Sequence, residues 1–179
     1  MTREESIAFY KAHSRRLYNV SLRIVRDSAL AEEIMQDTIL KYLSLPVSPL
    51  NALTSMSTQG PVVGWLVKTC IRASIDALRK MKRERLFLEE YGNEVAPEYF
   101  APIVEDRKNE VSLPDIAVVK KEIEALPDSY GLVLNLVLIE GLDYEEISGL
   151  TGEQEGTIRT RYSRAKKMLA DRLKEHATI

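Results

Sequence analysis

The chain has 179 residues, 45% of them hydrophobic and 29% charged, with a formal net charge of −2. That is enough apolar material for two small domains or one medium one, and it excludes a chain that is disordered throughout. The single cysteine, Cys70, excludes an internal disulfide, and with only His13 and His176 beside it no zinc-ligand spacing can be assembled.

No signal-peptide pattern opens the chain, and its longest apolar stretch, residues 132–139, is interrupted by Asn135 and too short to cross a bilayer. The expectation is a cytoplasmic protein with no integral membrane segment, no metal and no other cofactor. No phosphate-cradling glycine loop and no paired nucleophile and base occurs, so an enzyme is not expected.

From residue 2 to 25 the residues Ile7, Phe9, Tyr10, Leu17, Val20, Leu22, Ile24 and Val25 recur at spacings of three and four, which predicts one long amphipathic helix. Arg26-Asp27-Ser28 breaks it. A second helix over 29–43 offers Leu30, Ile34, Ile39, Leu40 and Leu43 for packing, with Glu32, Glu33, Gln36, Asp37 and Lys41 on its wetter side. Residues 44–61 hold Pro46, Pro49, Gly60 and Pro61 among serines and threonines and read as a loop.

Helical spacing resumes over 64–83, with Trp65, Leu66, Ile71, Ile75 and Leu78 apolar. Lys68, Arg72, Arg79, Lys80, Lys82 and Arg83 face only Asp76 as a counter-charge, making this a basic patch. A lone tryptophan on an apolar face packs a core more often than it stacks a base, so Trp65 is assigned to the core. Residues 84–115 carry nine acids against Arg85, Arg107 and Lys108 and are interrupted by Pro97, Pro102 and Pro114. This composition predicts a linker, set at 86–113, with a short helix near 86–91.

Residues 114–125 restart a helix through Ile116, Val119 and Ile123. Leu126-Pro127 then opens another, with proline at the first helical position, which Gly141 stops. Asp143 and Glu146 have capping-box spacing at the head of a third short helix, whose apolar edge is Tyr144, Ile147 and Leu150. Thr151-Gly152 is the turn.

A last helix begins near Gly156-Thr157 and turns Ile158, Tyr162, Ala165 and Leu169 inward at 3.6-residue spacing. Thr160, Ser163, Arg164 and Lys167 point away, with Arg159 on the flank. From 156 to 174 the chain carries Arg159, Arg161, Arg164, Lys166, Lys167, Arg172 and Lys174 against Asp171 alone. Helix, glycine turn and basic helix together predict a helix-turn-helix whose second helix enters a major groove, with donors for base edges near its start and phosphate contacts beyond. A solvated charged face is the plain alternative for such a helix in isolation.

The string LDYEEISGLTGEQEGTIRTRYSRAKKML resembles the promoter-reading end of a bacterial RNA polymerase sigma factor of the extracytoplasmic-function (ECF) group, within the sigma-70 family. Gly131 and Ser148 depart from the usual pattern, which has a long polar residue and an alanine there. DSALAEEIMQDTILKYL is similar to the family's segment that grips the polymerase beta-prime subunit, and WLVKTCIRASIDALRKMKR to its element that melts and holds the −10 box. Many members carry Arg-Asn where this chain has Ile71-Arg72.

The resemblance implies an all-α fold of two small helical domains joined by an acidic linker, the C-terminal one a helix-turn-helix. Residues 1–85 are expected to be a region 2-like domain and 114–179 a region 4-like domain. It implies a sigma factor that directs promoter-specific initiation. The partners it implies are core RNA polymerase, through its beta-prime and beta subunits, and promoter DNA, with an anti-sigma factor as a candidate third. Core-binding residues would be Glu32, Glu33, Gln36 and Asp37. The −10 residues would be Lys68, Arg72, Asp76, Arg79, Lys80, Lys82 and Arg83. The −35 residues would be Thr157, Arg159, Thr160, Arg161, Ser163, Arg164 and Lys167.

An autonomous helix-turn-helix repressor or activator is the alternative. It would need a symmetric dimer face, and residues 29–43 offer polar groups without a heptad seam.

Overall fold

The computed structural model of the protein describes residues 2–45, 60–90 and 114–177, and all regular structure among them is helical. The chain divides into two compact units, Met1–Phe100 and Ala101–Ile179.

In the first unit, helix α1 (Arg3–Val25) begins with a capping box: the Thr2 hydroxyl accepts from the Glu5 amide at 3.2 Å while the Glu5 carboxylate accepts from the Thr2 amide at 2.7 Å. Arg26 ends it in the left-handed conformation, φ 57°. Asp27 immediately caps α2 (Ser28–Leu43), its carboxylate accepting from the Leu30 amide at 2.8 Å. This two-residue turn folds α2 back along α1.

Helix α3 (Gly60–Glu90) packs against both. It is 31 residues long, which at 1.5 Å per residue is about 46 Å. It exceeds the predicted span of 64–83 at both ends. Gly60 and Pro61, read as loop, form its start, because proline is tolerated in a first turn where its missing N–H has no partner to lose. At the other end residues 84–90 are helical, so the short helix expected near 86–91 is the tail of α3 rather than a separate element. The rest of the loop, 46–59, and of the linker, 91–113, lies outside the described residues.

The three helices close over Leu17, Val20, Val25, Ile39, Leu66 and Ile71, all buried. Phe9 stacks on Tyr42 at 4.6 Å between centroids and Tyr42 meets Trp65 at 5.8 Å, so Trp65 serves the packing of α1, α2 and α3. Inside, Ser74 Oγ donates to the Cys70 carbonyl at 2.8 Å and lies 2.9 Å from the Ser21 hydroxyl, a satisfied polar seam between α1 and α3.

The second unit comprises α4 (Pro114–Glu124), α5 (Asp128–Leu134), α6 (Tyr144–Thr151) and α7 (Glu155–Ala177). Pro127 is the cap of α5 rather than its first residue, its carbonyl accepting from the amides of Tyr130 and Gly131. Helix α5 continues into a π-helical segment, Asn135–Ile139, which no periodicity in the sequence signals, before Gly141 reverses the chain at φ +71°. Ile123, Leu126, Leu134, Ala165 and Leu169 form the core where α4 and α5 meet α7.

Candidate nucleic-acid interface

The turn between α6 and α7 is held by side chains on both sides. Asp143 and Glu146 form the expected capping box, with bonds of 2.8 and 3.2 Å. Gly152 closes α6 at φ +69°, a conformation that a side chain would strain, and its amide donates to the Ser148 carbonyl at 2.7 Å. The Ser148 hydroxyl, where the family pattern has alanine, donates to the Glu153 carbonyl at 2.7 Å. Buried Thr151 donates to the Ile147 carbonyl at 2.8 Å and accepts from the Glu153 amide at 3.2 Å. Gln154 then starts α7, its carbonyl accepting from Thr157 and Ile158.

This turn presents α7 with one face down. Ile158 and Ala165 are fully buried and Leu169 nearly so, while Thr157, Arg159, Thr160, Ser163, Arg164 and Lys167 are exposed. Thr160 Oγ1 donates back to the Gly156 carbonyl at 2.8 Å, which leaves its lone pairs outward. Two arginines have protein partners that no spacing rule revealed. Arg161 is half-buried with its guanidinium on the Glu153 carboxylate, and Arg159 lies over the Tyr144 ring, 5.5 Å from its centroid. Arg172, counted among the cations of this helix, is paired with buried Glu122 at 2.7 Å.

On α3 the exposed residues Lys68, Arg72, Asp76, Arg79 and Arg83 recur at spacings of four and three and so form one stripe, flanked by exposed Lys80 and Lys82. Arg79 pairs with Asp76 at 3.5 Å and Lys80 with Glu84 at 3.9 Å. Ile71 is fully buried and belongs to the core.

On α2, Glu32, Glu33, Gln36 and Asp37 are all exposed, and Gln36 Nε2 donates to Glu32 at 3.1 Å. Leu40, expected to pack inward, is instead 59% exposed. It lies seven residues after Glu33 and four after Gln36, on the same face, and adds an apolar group at the C-terminal end of that polar surface. No group of three or more His, Cys, Asp or Glu side chains placed to hold a metal ion occurs among the described residues, and no helix among them is long and apolar enough to cross a membrane.

A Sigma-70 region 2 family model matches residues 9–84, and a Sigma-70, region 4 model matches residues 112–169. RNA polymerase sigma factor SigV of Bacillus subtilis is 29% identical over 157 residues, covering 88% of this chain and 84% of that protein. ECF RNA polymerase sigma factor SigE of Mycolicibacterium smegmatis is 27% identical over 172 residues, covering 94% of this chain but 61% of the relative. Among solved structures, the sigma factor RpoE of Bartonella quintana, in complex with the anti-sigma factor NepR, shares the fold with a TM-score of 0.60 at 20% identity, over 96% of this chain and 98% of that one. With a region 2 match on the α1–α3 bundle and a region 4 match on the helix-turn-helix, the chain belongs to the sigma-70 family, in its extracytoplasmic-function group of promoter-directing sigma factors.

Proposed function

We propose that the two units divide promoter recognition by the surfaces described above. In this reading residues 1–85 hold core RNA polymerase through Glu32, Glu33, Gln36, Asp37 and the added Leu40 on α2. The same domain tracks the −10 strand along the α3 stripe of Lys68, Arg72, Arg79, Lys80, Lys82 and Arg83, with Asp76 orienting Arg79. Residues 114–179 read the −35 element with α7, and 86–113 link the two. Thr157, Thr160, Ser163 and Arg164 are assigned to base edges and nearby backbone, Lys167 to phosphate, and Arg161 to the turn. The chain performs no chemistry of its own and works in the cytoplasm with the polymerase.

The observation that carries this reading is the division of α7, with Ile158, Ala165 and Leu169 buried beneath an outward face of Thr160, Ser163, Arg164 and Lys167. A net charge of −2 gives the whole molecule no general attraction to DNA, so its two basic helices act with the polymerase rather than alone. The region 2 match to the first unit favours this over an autonomous regulator. The Bartonella quintana neighbour was solved with an anti-sigma factor, and we extend to this chain a protein inhibitor of that kind.

The test is a pull-down with purified core polymerase followed by sequencing of the transcript starts that the mixture produces. Starts sharing −35 and −10 sequences, absent with core alone, are expected. Tight sequence-specific binding by the isolated chain as a dimer, with no capture of core, would sink the reading.

A further inference from the structure

We propose that Tyr144, on the first helix of the helix-turn-helix, is a positioning residue for Arg159 on the second, and that the pair sets base preference at one −35 position. The proposal rests on the assignment of α7 to the −35 element.

Tyr144 is the first residue of α6 and leans across to α7. Its ring lies 5.5 Å from Cζ of Arg159 and its centroid 6.0 Å from that of Tyr162, with the two tyrosine planes tilted by 59°. Arg159 and Tyr162 are three apart on one helix and so share a side of it. Tyr144 therefore fills the notch between them. Half-buried Tyr162 fixes the plane of the ring, and the ring face, negative by its quadrupole, holds the guanidinium.

The chemistry of this support differs from that given to Arg161. The Glu153 carboxylate accepts a hydrogen bond from Arg161 and neutralises its charge. An aromatic face does neither: it restrains a flexible side chain while leaving its full charge and its fork of N–H donors for a base edge or a phosphate. Arg159 is exposed, within the first turn and a half of α7, where donors reach base edges. A stem that would otherwise sample many rotamers is thus held in a narrower set before DNA arrives, which lowers the ordering cost of binding.

The experiment measures transcription by holoenzyme on a set of single-base −35 mutants, using Tyr144→Leu, Tyr144→Phe, Arg159→Ala and the Tyr144→Leu/Arg159→Ala double variant. Melting temperature and core capture are recorded for each. Tyr144→Leu is expected to lower use of the preferred base about two- to fivefold, the range that matches an exposed cation–π contact. Tyr144→Phe keeps the ring and is expected to restore the wild-type profile, and the double variant to be no worse than Arg159→Ala alone. Additive losses in the double variant, or a Tyr144→Leu profile reduced equally at every base, overturn the positioning role. An Arg159→Ala profile like wild type overturns the assignment of Arg159 to DNA, and the proposal with it.

If Tyr144→Leu does not fold, the Arg159 side-chain proton resonances decide the matter. Ring-current upfield shifts present in the wild type and in Tyr144→Phe support the contact, and their absence in the folded wild type overturns it.

Discussion

Glu122, only 6% exposed on α4, accepts a 2.7 Å hydrogen bond from Nε of Arg172 on α7, across 50 residues of sequence. Glu122 is buried and Arg172 is one of its partners, so Arg172→Ala is expected to destabilise the second unit by about 1–2 kcal/mol, below the full cost of a buried ion because Arg172 is itself 41% exposed. Denaturant unfolding of this variant should show the loss while holoenzyme retains its −35 base preferences. A changed preference would mean that Arg172 also works at the DNA.

The face of α2 offers a second test. Gln36→Ala with Asp37→Ala is expected to weaken capture of core polymerase with the circular dichroism spectrum unchanged. Leu40→Ala should weaken it further, by roughly 1–2 kcal/mol for an apolar side chain buried only on binding, at no cost to the free protein. Unchanged core affinity in folded variants would show that the polymerase uses another surface.

On α7, Arg164 and Lys167 are both exposed and their roles separate by what they read. Arg164→Ala should cost about 1–3 kcal/mol and relax preference at one −35 position, as expected for an arginine on a guanine edge. Lys167→Ala should weaken all sequences alike and make the salt dependence shallower by about one unit of slope. Uniform losses for Arg164→Ala would transfer base reading to Arg159, Thr160 or Ser163.

His13 is half-buried against Phe9, with ring centroids 4.5 Å apart, and burial, aided by the nearby Arg16 charge, holds its pKa below the usual histidine value. The unfolded chain therefore binds a proton that the folded chain resists. Stability should be full above the ordinary value of about 6.5, fall as pH drops through it, and level off below the depressed folded value. Melting temperatures at about pH 7.5 and about pH 5.5, on either side of that value, should differ less in His13→Gln than in the wild type. An equal difference would assign the acid sensitivity to other groups.

What the sequence made legible was local. Asp143 with Glu146, Gly152, and the spacing of Ile158, Ala165 and Leu169 each act within one or two turns, so their outcome follows from backbone geometry alone. The misreadings came from signals that carry two meanings. Gly60-Pro61 breaks a helix from inside but begins one from its first turn, and the acids of 84–90 read as linker although helices tolerate them well. Leu40 has the spacing of a core residue, but periodicity does not count neighbours, and its side chain stays exposed. The pairings of Glu122 with Arg172, Glu153 with Arg161 and Tyr144 with Arg159 depend on how helices meet, which no spacing within one helix encodes.

The π-helical segment takes up one extra residue with little change in the direction of the chain that follows it. Between Asn135 and Ile139 the backbone takes the wider turn, with the Glu140 amide bonded to the Asn135 carbonyl at 3.0 Å, and so holds one residue more than an α-helix would. Deleting any one residue of the five would let the backbone relax to a regular helix, with no hydrogen bond lost. Gly141 and Asp143 would then leave α5 in nearly the same direction, because four residues at about 100° each turn the chain about as far as five in the wider π-turn. A single-codon deletion within this stretch should therefore be absorbed with α7 still correctly aimed, whereas the same deletion inside α7 would turn every later residue of that helix by about 100°.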